Sequence, residues 1–184
     1  PLPPDEPAGQ NPPEGAILNY WLRDTPNGPV VLEILDGSGA TVRRWASDDL
    51  PEPPLEGQNV PPRWIRPHQP LGATPGMHRF AWDLRNDAPI AQRRSYPISA
   101  IPRYTPAEPR GPFVLPGTYT VRLTTGGQTY EQPLTVKMDP RVTTSAAELA
   151  RQHALSMRLY GLLREDFVAL TEVQAFRADA ANAA

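Results

Sequence analysis

The sequence predicts a mainly β protein: an antiparallel β-sandwich with long proline-rich insertions and a C-terminal α-helical extension. Three observations carry that expectation. Apolar and polar residues alternate over 76–84 and 119–124, the period of a half-buried strand. Short glycine-containing stretches separate neighbouring β-like runs. After Asp139 the apolar spacing changes from two residues to about 3.6, the repeat of a helix.

Residues 1–14 are a proline-rich linker without periodicity. The first β-rich run is 16–22, followed by the turn Asn27-Gly28-Pro29. Residues 30–35 and 41–45, joined across Asp36-Gly37-Ser38-Gly39, form a hairpin. Within it Val31, Glu33 and Leu35 share one face and Leu32 and Ile34 the other. A proline-dense insertion, 48–75, carries Trp64-Ile65-Arg66-Pro67-His68. The strand at 76–84 sends Phe80, Trp82 and Leu84 into the core, and Trp21 joins Trp82 there. A second insertion, 85–113, precedes the strand around Tyr119, Val121 and Leu123. Gly126-Gly127 turns that strand back into 129–138, where Pro133 marks an edge or a bulge. Residues 15–140 thus make the sandwich.

Residues 144–177 make an amphipathic helix, or a pair broken near Gly161. Ser145 and Glu148 have capping-box spacing at its start. Leu149, Leu155, Leu159, Leu162, Leu163, Phe167, Leu170, Val173 and Phe176 recur at helical intervals. Leu155, Leu159, Leu162, Leu163, Phe167 and Leu170 form an interface that needs a partner helix, an adjacent domain or a second copy of the chain.

The formal net charge is −2, too weak a field to hold a polyanion, which requires clustered Lys and Arg. Nucleic acid is therefore not an expected partner. Arg93 and Arg94, with Arg85, Arg103 and Arg110 around them, read as a solvated loop. The chain has no cysteine, which removes disulfides, thiolate nucleophiles and sulfur-based zinc sites. No apolar run approaches the ~20 residues of a membrane span. The start at Pro1-Leu2-Pro3-Pro4, without an initiator Met, reads as a processed piece.

Candidate chemistry is thin. Two carboxylates about 5–10 Å apart in a cleft would suit glycosidic acid and base work. The candidates, Asp48 with Asp49 and Asp83 with Asp87, read better as turn and strand-end acids paired with arginines. His68, His78 and His153 lack metal-ligand spacing. No Gly-x-Ser-x-Gly elbow occurs, and Gly126-Gly127 lies between strands rather than before a helix, so it is no phosphate cradle. The expectation is no catalytic residue, no cofactor and no metal. Trp45, Trp64, Tyr96 and Tyr104, in or beside the insertions, are the residues for carbohydrate stacking or partner contact; the structural reading of Trp64 is an anchor for its own loop.

Two motifs, Gly-Met-His-Arg-Phe-Ala-Trp-Asp-Leu-Arg at 76–85 and Pro-Gly-Thr-Tyr-Thr-Val-Arg-Leu-Thr at 116–124, resemble a repeated theme of bacterial immunoglobulin-like domains. A fuller set adds residues 9–16, the Leu32-Glu33-Ile34-Leu35-Asp36 hairpin and residues 132–141. Together they resemble the region after the β-propeller in bacterial exported sortilin-like and Asp-box (BNR) repeat proteins, often named glycosyl hydrolases. The resemblance runs from about Gly9 to Phe176. It implies an immunoglobulin- or fibronectin-III-like sandwich in a secreted, periplasmic or cell-surface protein, beside a propeller that would hold any hydrolytic site. No Asp-box of the form Ser-x-Asp-x-Gly-x-x-Trp occurs in this chain. The expected function is a non-catalytic accessory or interaction domain; the alternatives are a carbohydrate-binding module and, behind it, a glycoside hydrolase.

Overall fold

A computed structural model describes residues 14–51, 70–90 and 109–182. The chain divides into two compact units, one of residues 1–85 and 116–142, the other of residues 86–115 and 143–184. The proline-rich linker and most of both insertions fall outside the described residues.

Among the described residues the first unit holds six strands: β1 (Ala16–Leu22), β2 (Val31–Leu35), β3 (Thr41–Ala46), β4 (Gly76–Trp82), β5 (Gly117–Thr125) and β6 (Gln128–Val136). They form two antiparallel sheets, β1-β4 and β3-β2-β5-β6. Local sequence sets two of the pairings. Asp36 closes the β2–β3 turn: its Oδ1 accepts hydrogen bonds from Ser38 N at 2.8 Å, Ser38 Oγ at 2.6 Å and Ala40 N at 3.0 Å. Those donors, the Ser38 hydroxyl foremost, hold the Asp36 carboxyl below its ordinary range. Gly126 and Gly127, at φ 55° and 76°, supply the left-handed pair that a two-residue hairpin between β5 and β6 requires. The pairings of β1 with β4 and of β2 with β5 join distant segments.

The core lies between the sheets. Val30, Leu32, Ile34, Leu71, Phe80 and Trp82 are buried, as are Tyr20, Leu22, Trp45 and Tyr119. Aromatic rings meet across the gap: Trp45 lies edge-on to Phe80 at 4.7 Å and Trp82 to Tyr119 at 5.8 Å. Each such fully buried apolar side chain contributes roughly 1.5–3 kcal/mol. Leu32 and Ile34 face inward as the alternation requires, and Glu33 faces outward, 3.8 Å from Arg122. Leu35 departs from the alternation. It is buried rather than beside Glu33, at the point where the β2–β3 register slips between Ile34 and Leu35; a bulge there re-aims the side chain.

Leu84 also departs from expectation, because β4 ends at Trp82 and Leu84 takes a left-handed φ of 59°. That turn brings the Arg85 carbonyl to the Trp82 indole, whose Nε1–H donates to it at 2.9 Å. Asp83 Oδ1 accepts from Arg85 N and from Arg43, both at 3.2 Å. The Trp-Asp-Leu-Arg motif is thus a strand terminator that satisfies the one polar atom of a fully buried tryptophan.

In the second unit, α1 runs unbroken from Ala146 to Asn182, 37 residues, so Gly161 does not divide it. Its start is a reciprocal capping box. Ser145 Oγ accepts from Glu148 N at 3.3 Å, and Glu148 Oε2 accepts from Ser145 N at 3.0 Å and Ser145 Oγ at 2.7 Å. His153 Nδ1–H donates to Phe113 O at 2.9 Å. Asn86 donates from both its backbone N and its side-chain Nδ2 to Pro112 O.

Candidate interaction surface

Strand periodicity makes β1 two-faced. Tyr20 and Leu22 point into the core, whereas Ile17, Asn19 and Trp21 point away from it. The β1–β4 register sets Trp21 opposite Met77, Asn19 opposite Arg79 and Ile17 opposite Ala81. Trp21 is 58% and Met77 71% exposed, with Ile17 also exposed. Arg79 Nε donates to Asn19 Oδ1 at 3.1 Å between them. The outer face of the small sheet is therefore apolar at both ends with one polar pair in the middle. Trp21, expected in the core, is its largest exposed side chain.

β1 has a second distinction. Among the described residues it pairs with β4 on one side and is an outer strand on the other, and its sequence AILNYWL carries neither charge nor proline. The other outer strands bear features that discourage pairing: Arg43 and Arg44 on β3, His78 and Arg79 on β4, Glu131 and Pro133 on β6. Beside β1 lies a cleft of about 850 Å³, bounded by β1 and the segment after it, by Leu32, Val121 and Leu123, and by Tyr130, Gln132 and Leu134 of β6. Arg23 and Asp24 are its charged lining residues. Apolar side chains make up the larger share of its lining, interleaved with Asn19, Thr25, Thr125, Gln128 and Gln132, and such a mixture is that of a cleft able to hold a partly apolar ligand.

Trp45 is a correction: it is 9% exposed, lies against Phe80 and has the Arg43 guanidinium over its ring at 5.1 Å, so both its faces serve the core and none is open to a sugar. The alternation that places Leu32 and Ile34 inside also places their hairpin neighbour Trp45 inside, since Leu32 and Trp45 are register partners. Trp64, Tyr96 and Tyr104 lie outside the described residues. On α1, Leu155, Leu159, Leu162 and Leu163 are exposed, while Phe167 and Leu170 are half-buried. A second stripe of half-buried residues, Leu149, His153, Met157, Tyr160 and Phe167, runs along another face. The helix is thus apolar on two sides rather than along one stripe.

The acids behave as local structure. Asp49 Oδ2 accepts from Ala46 N at 2.5 Å and lies 3.7 Å from Arg44, and Asp83 is held by Arg43 and Arg85. His78 stacks on Tyr20 at 4.9 Å and shares a 2.7 Å hydrogen bond with Thr74 O; His68 lies outside the described residues. Among the described residues no three His, Cys, Asp or Glu side chains gather as a metal site, and no helix is long and apolar enough to cross a membrane. Compared with protein-family models, curated proteins and solved structures, the chain matches none.

Proposed function

We propose that this chain is a non-catalytic, immunoglobulin-like interaction module of a larger exported protein, packing against a neighbouring domain of the β-propeller type suggested by its motifs. The observation that carries the reading is the outer face of β1 and β4, where Trp21 and Met77 stand exposed in direct register. An exposed cluster of large apolar side chains on an otherwise buried-core sheet marks a contact surface, and Trp is enriched where binding energy concentrates.

The strand order supports the immunoglobulin-like part. With β1 taken as strand B, β2 and β3 as C and C′, β4 as E, and β5 and β6 as F and G, the sheets of the described residues read B-E and C′-C-F-G, the order of an immunoglobulin-type sandwich from its second strand on. Tyr119, near the start of β5, stands where such folds carry a tyrosine. One departure is that the fully buried tryptophan, Trp82, sits on β4 and not on the strand matching C. The exposed leucines of α1 take a second helix, supplied by a second copy of the chain when it is isolated.

The test is a differential one. Trp21→Ser with Met77→Ser in the isolated chain leaves the melting temperature nearly unchanged, because both side chains already meet solvent. The same pair in the complete product of the gene lowers the melting temperature by several degrees and opens new protease sites. Equal behaviour in the two contexts contradicts the proposal.

A further inference from the structure

We infer that the free edge of β1 and the cleft beside it form a strand-addition site for a separate polypeptide segment: extended, uncharged, free of proline, about seven residues long and apolar at alternate positions. This rests on the interaction-module reading and names how the partner is held.

The edge dictates the ligand's backbone. A seven-residue outer strand presents N–H and C=O groups on its free side at every second residue, and an added strand satisfies them as a ladder. Arginines, an acid or a proline guard the other outer strands, whereas β1 has none of these. The cleft dictates the side chains. Leu32, Val121 and Leu123 line it together with Leu134 of β6, so alternate residues of an added strand find an apolar surface while those between face outward. The strand residues that line it are all uncharged, and Arg23 and Asp24 stand where β1 has ended. A charged strand would lose hydration there without gaining a counter-charge.

The same observations disfavour two other occupants. The thirteen residues before Glu14 include Pro1, Pro3, Pro4, Pro7, Pro12 and Pro13 and no proline-free run longer than four, so they lack the donors for a seven-residue ladder. A second copy of the chain could offer β1 itself, but Tyr20 and Leu22 are already buried in that copy's own core and are not free to enter the cleft.

The probe is the acetylated and amidated peptide Thr-Val-Thr-Val-Thr-Val-Thr, titrated into the full chain while amide hydrogen exchange is followed by NMR. The expected result is saturable binding that slows exchange at alternate residues of β1 by at least tenfold. N-methylation of every second peptide residue, in the phase that faces β1, weakens binding at least tenfold; methylation in the other phase does not. Leu134→Glu weakens it by a similar factor, and Tyr130→Glu, at an exposed position, gives the same direction should the first variant fail to fold. Three results overturn the proposal: no binding up to millimolar peptide, binding that leaves β1 exchange unchanged, or protection in the free chain of the β1 amides that point away from β4, which would assign the edge to another part of the chain or to a second copy. A chain that fails here yet loses stability on Trp21→Ser only in the complete gene product keeps the module reading and loses only the strand-addition mode.

Discussion

Trp82 concentrates the residue-level logic of the first unit. It is fully buried, its ring meets Tyr119, and its indole N–H is satisfied by the Arg85 carbonyl only because Leu84 adopts a left-handed conformation. Trp82→Ala is expected to cost about 3–5 kcal/mol in denaturant unfolding, the range for deleting a large buried aromatic. Gly15 belongs to the same corner. Its φ is 108°, and a β-carbon there would collide with the Trp82 carbonyl oxygen, so Gly15→Ala should destabilise by about 1–3 kcal/mol, measured in the same unfolding experiment. Trp82 and Phe80 were legible as core because 76–84 alternates cleanly. Trp21 and Trp45 were not. In 16–22 both phases are apolar, with Ile17 and Trp21 in one and Leu18, Tyr20 and Leu22 in the other, so periodicity alone cannot choose the inner face. Trp45 borders an insertion, and its inward aim follows from its register with Leu32 across the hairpin, where it meets Phe80 of the other sheet.

Elements tell a parallel story. The β2–β3 and β5–β6 hairpins and the capped start of α1 were readable because turn and cap chemistry is local. The pairings of β1 with β4 and β2 with β5 were not, because nothing within either strand encodes its distant neighbour. Ser145→Ala removes one half of the capping box and should cost about 1 kcal/mol of helix stability, visible as faster amide exchange in the first turn of α1. Hydrogen bonds from the Ser145 side chain and then its backbone hold the Glu148 carboxyl below its ordinary range. A depressed carboxyl contributes stability that is present above its unfolded value, about 4, and lost as pH falls through its folded value. Amide protection in that turn, and at Ser38 and Ala40 beside Asp36, measured against an unstructured peptide at the same pH, should therefore fall below about pH 4. Along α1, Leu155, Leu159, Leu162, Val173 and Phe176 fall on one exposed four-and-three repeat, with Asp166 and Ala169 at the two repeat positions between them, so the apolar seam of paired helices is interrupted at its middle. Reversible self-association in a sedimentation concentration series is expected, and Leu159→Lys with Leu162→Lys should abolish it while leaving the helix signal in circular dichroism.

For the whole molecule, strand and helix periodicity gave the mainly β class with its C-terminal helix, but not the division of the chain. Beyond Arg85, the described ends of the second insertion group with α1 in the second unit. Proline-rich sequence carries no period from which such a grouping can be read. At the alkaline end, burial raises the Tyr20 hydroxyl above its ordinary value, and the 2.7 Å hydrogen bond it donates to the Gly72 carbonyl can be made only by its protonated form. A raised value contributes stability that is complete below the unfolded value, about 10, and lost as pH rises through the folded one; Tyr20→Phe should flatten that alkaline loss in melting curves. The proposed contact surface is the outer face of β1 and β4, and side-chain reactivity reports on it directly. Hydroxyl-radical footprinting of Trp21 and Met77 should find both oxidised rapidly in the isolated chain and several-fold more slowly in the protein purified from its natural source. Equal rates in the two samples would contradict an interaction module that docks through this face.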